Sequence, residues 1–91
     1  MRPIDAIRET LDLAWDKFKE VTPENDYEFE EFVVEELKKR GADDVIWYCS
    51  VRNCWFVVKF GDKYYDVDYI TYKIYEVDKE YYEEKRREVG L

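Results

Sequence analysis

VIWYCSVRNCWFVVKFGDKYYDVD, residues 45–68, decides the fold. Val45 to Val51 and Trp55 to Phe60 are rich in β-branched and aromatic residues, which suit the pleated, half-buried surface of a sheet, and Arg52-Asn53 between them suits a tight turn. The two runs are therefore expected to pair as a hairpin. Gly61-Asp62 marks the next turn, and Lys63 to Asp68 makes a third strand with Tyr65 and Val67 on one face and Tyr64 and Asp66 on the other. The alternation continues from Tyr69 to Val77, so the antiparallel sheet is expected to have three or four strands.

Helical periodicity lies on both sides of this sheet. Ile4, Ile7, Leu11, Ala14, Trp15, Phe18 and Val21 fall at the three-and-four spacing of one helix face, with Pro3 in a first-turn position, which predicts a helix from about residue 3 to 20. Thr22-Pro23-Glu24 stops it. A second helix then starts with Asn25 or Asp26 as N-cap and Glu28 at capping-box distance from Asn25. Phe29, Phe32, Val33 and Leu37 form its apolar stripe, Lys38, Lys39 and Arg40 sit at the negative end of its dipole, and Gly41 ends it. After the strands, Asp78 is placed to cap a last helix, Lys79 to Val89. The order is ααββββα, an α+β domain spanning residues 1–91 without an internal repeat.

Composition narrows the function classes. The 91 residues are 42% charged and 19% aromatic, with three Gly and two Pro, so no linker or low-complexity arm fits. Histidine is absent, which removes Cys-His and Ser-His-Asp relays and most zinc sites. No cofactor is called for. Fifteen Lys plus Arg against 23 Asp plus Glu give a net charge of -8, so a phosphate backbone would be repelled and direct nucleic-acid binding is not expected. No apolar run reaches the roughly 20 residues that span a bilayer, and the opening Met1 to Asp5 lacks a signal-peptide pattern. Membrane association is not expected, and a cytoplasmic protein is.

Cys49 and Cys54 read first as two buried thiols, with a local disulfide or a reactive thiol as the alternatives. Asp62, Asp66 and Asp68 crowd a turn and strand, but Ile70 breaks the calcium-loop pattern, so solvated carboxylates are expected and no metal site. Tyr64, Tyr65, Tyr69, Tyr72, Tyr75, Tyr81 and Tyr82 read as core more readily than as an exposed binding surface.

Between Glu20 and Glu36 there are eight acids (Glu20, Glu24, Asp26, Glu28, Glu30, Glu31, Glu35 and Glu36) and no base. A solvated helix face with dipole-friendly acids in its first turns accounts for part of the run. Glu35 and Glu36 lie beyond those turns, where like charges only repel. The alternative is a face, including Glu24, Glu28, Glu31 and Glu35, that docks onto a basic protein surface as proteins imitating the charge of DNA do.

Residues 25–68 resemble the core of the transglutaminase-like and papain-like cysteine peptidase domains of bacteria and their phages. NDYEFEEFVVEELKKRG is similar to the helix that the catalytic Cys opens in those domains, and WFVVKFGDKYYD to the strand-turn-strand that carries His and then Asp. The resemblance places the nucleophile on Asp26, fifteen residues before Gly41, and the His on Trp55, eleven before Asp66. Only Asp66 keeps the family's residue type. It thus implies a degenerate enzyme scaffold whose cleft joins Asp26, Trp55 and Asp66.

The first functional expectation is a non-catalytic protein-binding module on that degenerate core. By size and charge it resembles inhibitor or accessory proteins of phages and mobile elements, anti-CRISPR proteins included. A hydrolase using Asp26 and Asp66 as paired carboxylates is the enzyme alternative, and a structural or designed domain without a partner is the third.

Overall fold

The computed structural model describes residues 1–51 and 53–91, and the chain packs as two compact units, residues 1–41 and 42–91. The α+β class and the expected element order hold: α1 (Pro3–Phe18), α2 (Asp26–Lys39), β1 (Asp44–Cys49), β2 (Cys54–Phe60), β3 (Lys63–Asp68), β4 (Lys73–Val77) and α3 (Lys79–Glu88). The sheet has four strands, antiparallel throughout, in the order β1-β2-β3-β4. Among the described residues no helix is long and apolar enough to cross a membrane.

In the first unit, Ile7, Leu11 and Ala14 of α1 and Phe29, Val33 and Leu37 of α2 are buried, as their spacing requires. Phe29 packs its ring 5.0 Å from Trp15 and 5.6 Å from Phe18, tying the two helices together. Ala6 and Thr10 join the buried face of α1 although the apolar stripe omits them. The Thr10 hydroxyl is buried without a partner among the described residues. An unsatisfied buried hydroxyl costs more than the methyl that can replace it, so Thr10→Val should raise the free energy of unfolding by about 1 kcal/mol in denaturant titration.

Helix α1 ends at Phe18, two residues before the expected end, because Lys19 takes a positive φ of 63° and the Glu20 N–H turns back to the Phe18 carbonyl. The capping box at Asn25 does not form. The Asn25 Oδ1 instead accepts the Thr22 N–H at 2.8 Å, and its Nδ2 donates to the Glu20 carbonyl at 3.0 Å. One amide thus closes the α1–α2 connection instead of capping α2. At the other end Gly41 takes φ +103°, and Arg40 reaches both Glu36 of its own helix (2.7 Å) and Glu9 of α1 (3.3 Å).

In the second unit, the pairs Tyr48↔Trp55, Ile46↔Val57, Val57↔Asp66 and Asp66↔Tyr75 place these residues on one sheet face. Helix α3 covers that face. Tyr82 closes a cluster with Ile46, Val57 and Tyr64, against which Tyr48, Val77 and Tyr81 pack. The Asp78 carboxylate caps α3 as expected, accepting the Tyr81 N–H at 2.8 Å. Trp47, Phe56, Val58, Tyr65 and Val67 occupy the opposite face, with Trp47 stacked on Phe56 at 5.2 Å.

Element boundaries in this unit differ from expectation. The β1–β2 pairing runs out to Cys49↔Cys54, so residues 50–53 make the connection, and the Ser50 N–H donates to the Asn53 carbonyl. Of the two residues expected to form the turn, Arg52 lies outside the described residues. Strand β4 begins at Lys73 because residues 69–72 turn the chain, with the Asp68 Oδ1 accepting the Ile70 and Thr71 N–H groups and Tyr72 at φ 62°. Helix α3 stops at Glu88.

Cys49 and Cys54 form a disulfide, which overturns their reading as buried thiols. Cys49 is exposed and Cys54 half-buried, and their cross-strand register brings the sulfurs together at the end of the hairpin. For so short a loop, the restriction of the unfolded chain is worth roughly 2 kcal/mol. Reduction, or the Cys49→Ser and Cys54→Ser pair, should lower unfolding stability by about that amount. A thiol-directed probe should label neither cysteine until a reductant is added.

Candidate functional site

Trp55 and Asp66 lie on the sheet face beneath α3, and Tyr48 joins them. Its ring stacks on Trp55 with centroids 5.6 Å apart, and its hydroxyl donates to the Asp66 Oδ1 at 2.8 Å. From α3, the Tyr81 hydroxyl donates to the Asp66 Oδ2 at 3.0 Å and lies 3.3 Å from the Tyr48 hydroxyl. The Lys85 ammonium sits 4.6 Å from the Tyr48 ring centroid and 5.3 Å from that of Tyr81. Both carboxylate oxygens of Asp66 are therefore engaged by phenols. Trp55 contributes an aromatic surface and no proton acceptor.

The electrostatics of this cluster hold the phenols neutral. Burial, with the neighbouring Tyr81 hydroxyl and the hydrogen bond to Asp66, pushes the Tyr48 hydroxyl far above the usual tyrosine range. Burial also pushes Tyr81 up, the nearby Tyr48 hydroxyl opposes the shift, and Asp66 adds to it. A neighbouring pair repeats the pattern: the Tyr82 hydroxyl donates to the Asp44 Oδ2 at 2.6 Å, and Arg86 donates to the same oxygen at 3.0 Å. Burial first, then the bond to Asp44, moves Tyr82 up to about 12. A nucleophilic or acid-base tyrosine needs the opposite displacement.

These shifts have a pH consequence of definite sign. A phenol whose folded pKa is raised binds its proton more tightly in the folded state, so its stabilisation is complete below the unfolded value near 10 and disappears as the pH rises through the folded value. Stability should fall steadily between pH 10 and about 12, with tyrosinate absorbance rising as the protein unfolds. Tyr82→Phe should make that alkaline slope shallower.

Asp26 belongs to the helical unit, where it opens α2 and is exposed. The other acids of the run differ in their surroundings. Glu36 pairs with Arg40 at 2.7 Å and Lys39 at 3.2 Å, and those bonds hold its carboxyl below the usual range. Glu30 is half-buried, and burial, helped by Asp26, pushes it up. Glu24, Glu28, Glu31 and Glu35 are exposed and make no ion pair among the described residues. Glu28, Glu31 and Glu35 follow the three-and-four spacing of one helix face. They rim a shallow groove of about 240 Å³ whose other walls are Lys17, Phe18 and Phe32.

The remaining candidates are structural. Asp68 holds the β3–β4 turn, Asp62 is exposed in the β2–β3 turn, and no group of three or more metal-ligating side chains comes together among the described residues. Of the seven tyrosines from Tyr64 to Tyr82, Tyr64, Tyr65, Tyr69 and Tyr82 are buried, and Tyr75 is the exposed one. Sequence reasoning gave Tyr48 no role and treated Tyr81 only as one of many aromatics. The parity that puts Tyr48, Trp55 and Asp66 on one face was present in the sequence, but which of these residues stand opposite one another depends on a hairpin register that the sequence left two residues wide. No family model matches the chain, and no curated protein or solved structure does.

Proposed function

We propose that this protein is a non-catalytic binding module whose partner presents a basic protein surface to the exposed face of α2. The observation that carries the reading is the row Glu28, Glu31 and Glu35, which is exposed and unpaired while Glu36 of the same helix is neutralised by Lys39 and Arg40. Leaving like charges adjacent costs helix stability unless a partner's cations offset it. The second unit supports the non-catalytic half. Asp66, where the cysteine-hydrolase resemblance puts a catalytic carboxylate, is occupied by Tyr48 and Tyr81, and Trp55 fills the His position. A basic surface of this kind is common on nucleic-acid-binding proteins, so occupying such a surface in place of phosphate is the mode of action that the charge favours.

A cytoplasmic setting fits this proposal only where the Cys49–Cys54 bridge resists the cytosolic thiol pool, which keeps most cysteines reduced. The functional test uses an arginine-rich peptide as a surrogate basic surface. Binding by the wild type should be salt-sensitive, and Glu28→Lys, Glu31→Lys, Glu35→Lys together should remove it. The same three reversals at Glu80, Glu83 and Glu84 of α3 should not. Equal loss in both triple variants would reduce the effect to net charge and dispose of the assignment to α2.

A further inference from the structure

We infer that the groove between the ends of α1 and α2 is a guanidinium site, which receives an arginine side chain of the basic partner in the place now held by Lys17. This rests on the proposed binding face and names what anchors it. The floor is aromatic: Phe18 and Phe32 meet edge to face with centroids 5.9 Å apart. A cation already lies on it, for the Lys17 ammonium is 4.7 Å from the Phe32 centroid and 5.6 Å from that of Phe18. Glu28, Glu31 and Glu35 rim the same groove, yet none comes within ion-pair distance of Lys17 among the described residues. The resident ammonium thus satisfies the rings and leaves the carboxylates unpaired.

An arginine satisfies both. Its planar guanidinium stacks on a phenyl face as an ammonium cannot, and its divergent N–H groups reach carboxylates on the rim at the same time. Lys17 is exposed and mounted on a flexible stem, so it can swing away when a better cation arrives. In the free protein it competes for the site. Removing it should therefore strengthen binding, which is the reverse of what a contact residue would do.

The experiment measures binding of an arginine-rich peptide, and of its lysine counterpart of equal length, to the full chain at low salt. Lys17→Met keeps the apolar stem and should tighten the arginine peptide roughly five-fold, while Lys73→Met, the same charge change at an exposed position of β4, should alter it less than about two-fold. Phe32→Leu keeps the burial and loses the ring face, and should weaken the arginine peptide roughly two- to five-fold with a smaller loss for the lysine peptide. Circular dichroism on each variant checks the helices. If Lys17→Met behaves as Lys73→Met does, or Phe32→Leu binds as the wild type does, while the Glu28/Glu31/Glu35 reversal still abolishes binding, the guanidinium site is wrong and the acidic face stands. Insensitivity to that triple reversal, or no peptide binding at all, removes both.

Discussion

Replacing Asp66 with alanine should destabilise the protein by about 3 kcal/mol, because it strands two phenol hydroxyls that donate to the carboxylate. For a chain of this length that is a fall in melting temperature of roughly 12–24 °C. The cost is large for a single polar side chain, and the reason is geometric. Tyr48 comes from β1 and Tyr81 from α3, so Asp66 is the joint through which a sheet strand and the covering helix share their hydrogen bonds. Tyr48→Phe and Tyr81→Phe each remove a donor without stranding one, and should cost about 1 kcal/mol. The two phenols also touch each other at 3.3 Å, so the double variant should deviate from additivity. Urea titration of the wild type and the four variants checks the set. A stability for Asp66→Ala within about 0.5 kcal/mol of the wild type would mean that water takes the carboxylate's place, and would free Asp66 for another role.

The second large effect is kinetic. Reversing Glu28, Glu31 and Glu35 to lysine turns the approach of a basic partner from attraction to repulsion, and should slow association roughly 10- to 100-fold at low ionic strength. At high salt the difference should shrink towards nothing, since exposed charges farther apart than about 10 Å are largely screened at 0.1 M. Dissociation should quicken as well, because the same carboxylates hold the bound guanidinium, and the two effects together remove binding. The substitutions should leave the fold standing: all three side chains are exposed, and only Glu28, in the first turn of α2, gives up a dipole contribution of about 0.5 kcal/mol. Stopped-flow mixing with a labelled basic peptide across a salt series gives both numbers. Parallel salt slopes for wild type and variant would show that α2 does not steer.

What the sequence disclosed depended on how local each determinant was. Strand β3 was legible to the residue, because Lys63 to Asp68 alternates cleanly between Gly61-Asp62 and the next turn. The Asp78 cap was legible too, since the carboxylate and the amide it receives are three residues apart. At Lys19 and Asn25 local signals misled. A lysine ordinarily prolongs a helix, and here it takes positive φ; an asparagine before an acidic turn ordinarily caps, and here both its amide atoms are spent on the preceding loop.

The hairpin carried the costliest ambiguity. A two-residue turn at 52–53 and a four-residue connection at 50–53 shift the ends of both strands, and only the second puts Cys49 opposite Cys54. The disulfide and the Tyr48–Asp66 bond both follow from that register. Tyr81 was out of reach of any local pattern, because its partner lies fifteen residues away on a strand that α3 covers. The acidic row on α2 needed no tertiary knowledge, as helical spacing alone aligns Glu28, Glu31 and Glu35. What the structure added is the contrast with Glu36, whose charge is already matched.

The central claim, that the unpaired face of α2 is where a basic partner binds, is tested most directly by a proton–nitrogen correlation titration of the isotopically labelled protein with an arginine-rich peptide at low salt. The expected result is a saturable set of shifts confined to the α2 amides from Asp26 to Glu35 and to Lys17 and Phe18, reversed by added salt. Shifts centred instead on the carboxylates of the second unit, such as Asp62, Glu76 and Asp78, or spread evenly over every exposed acid, would contradict it.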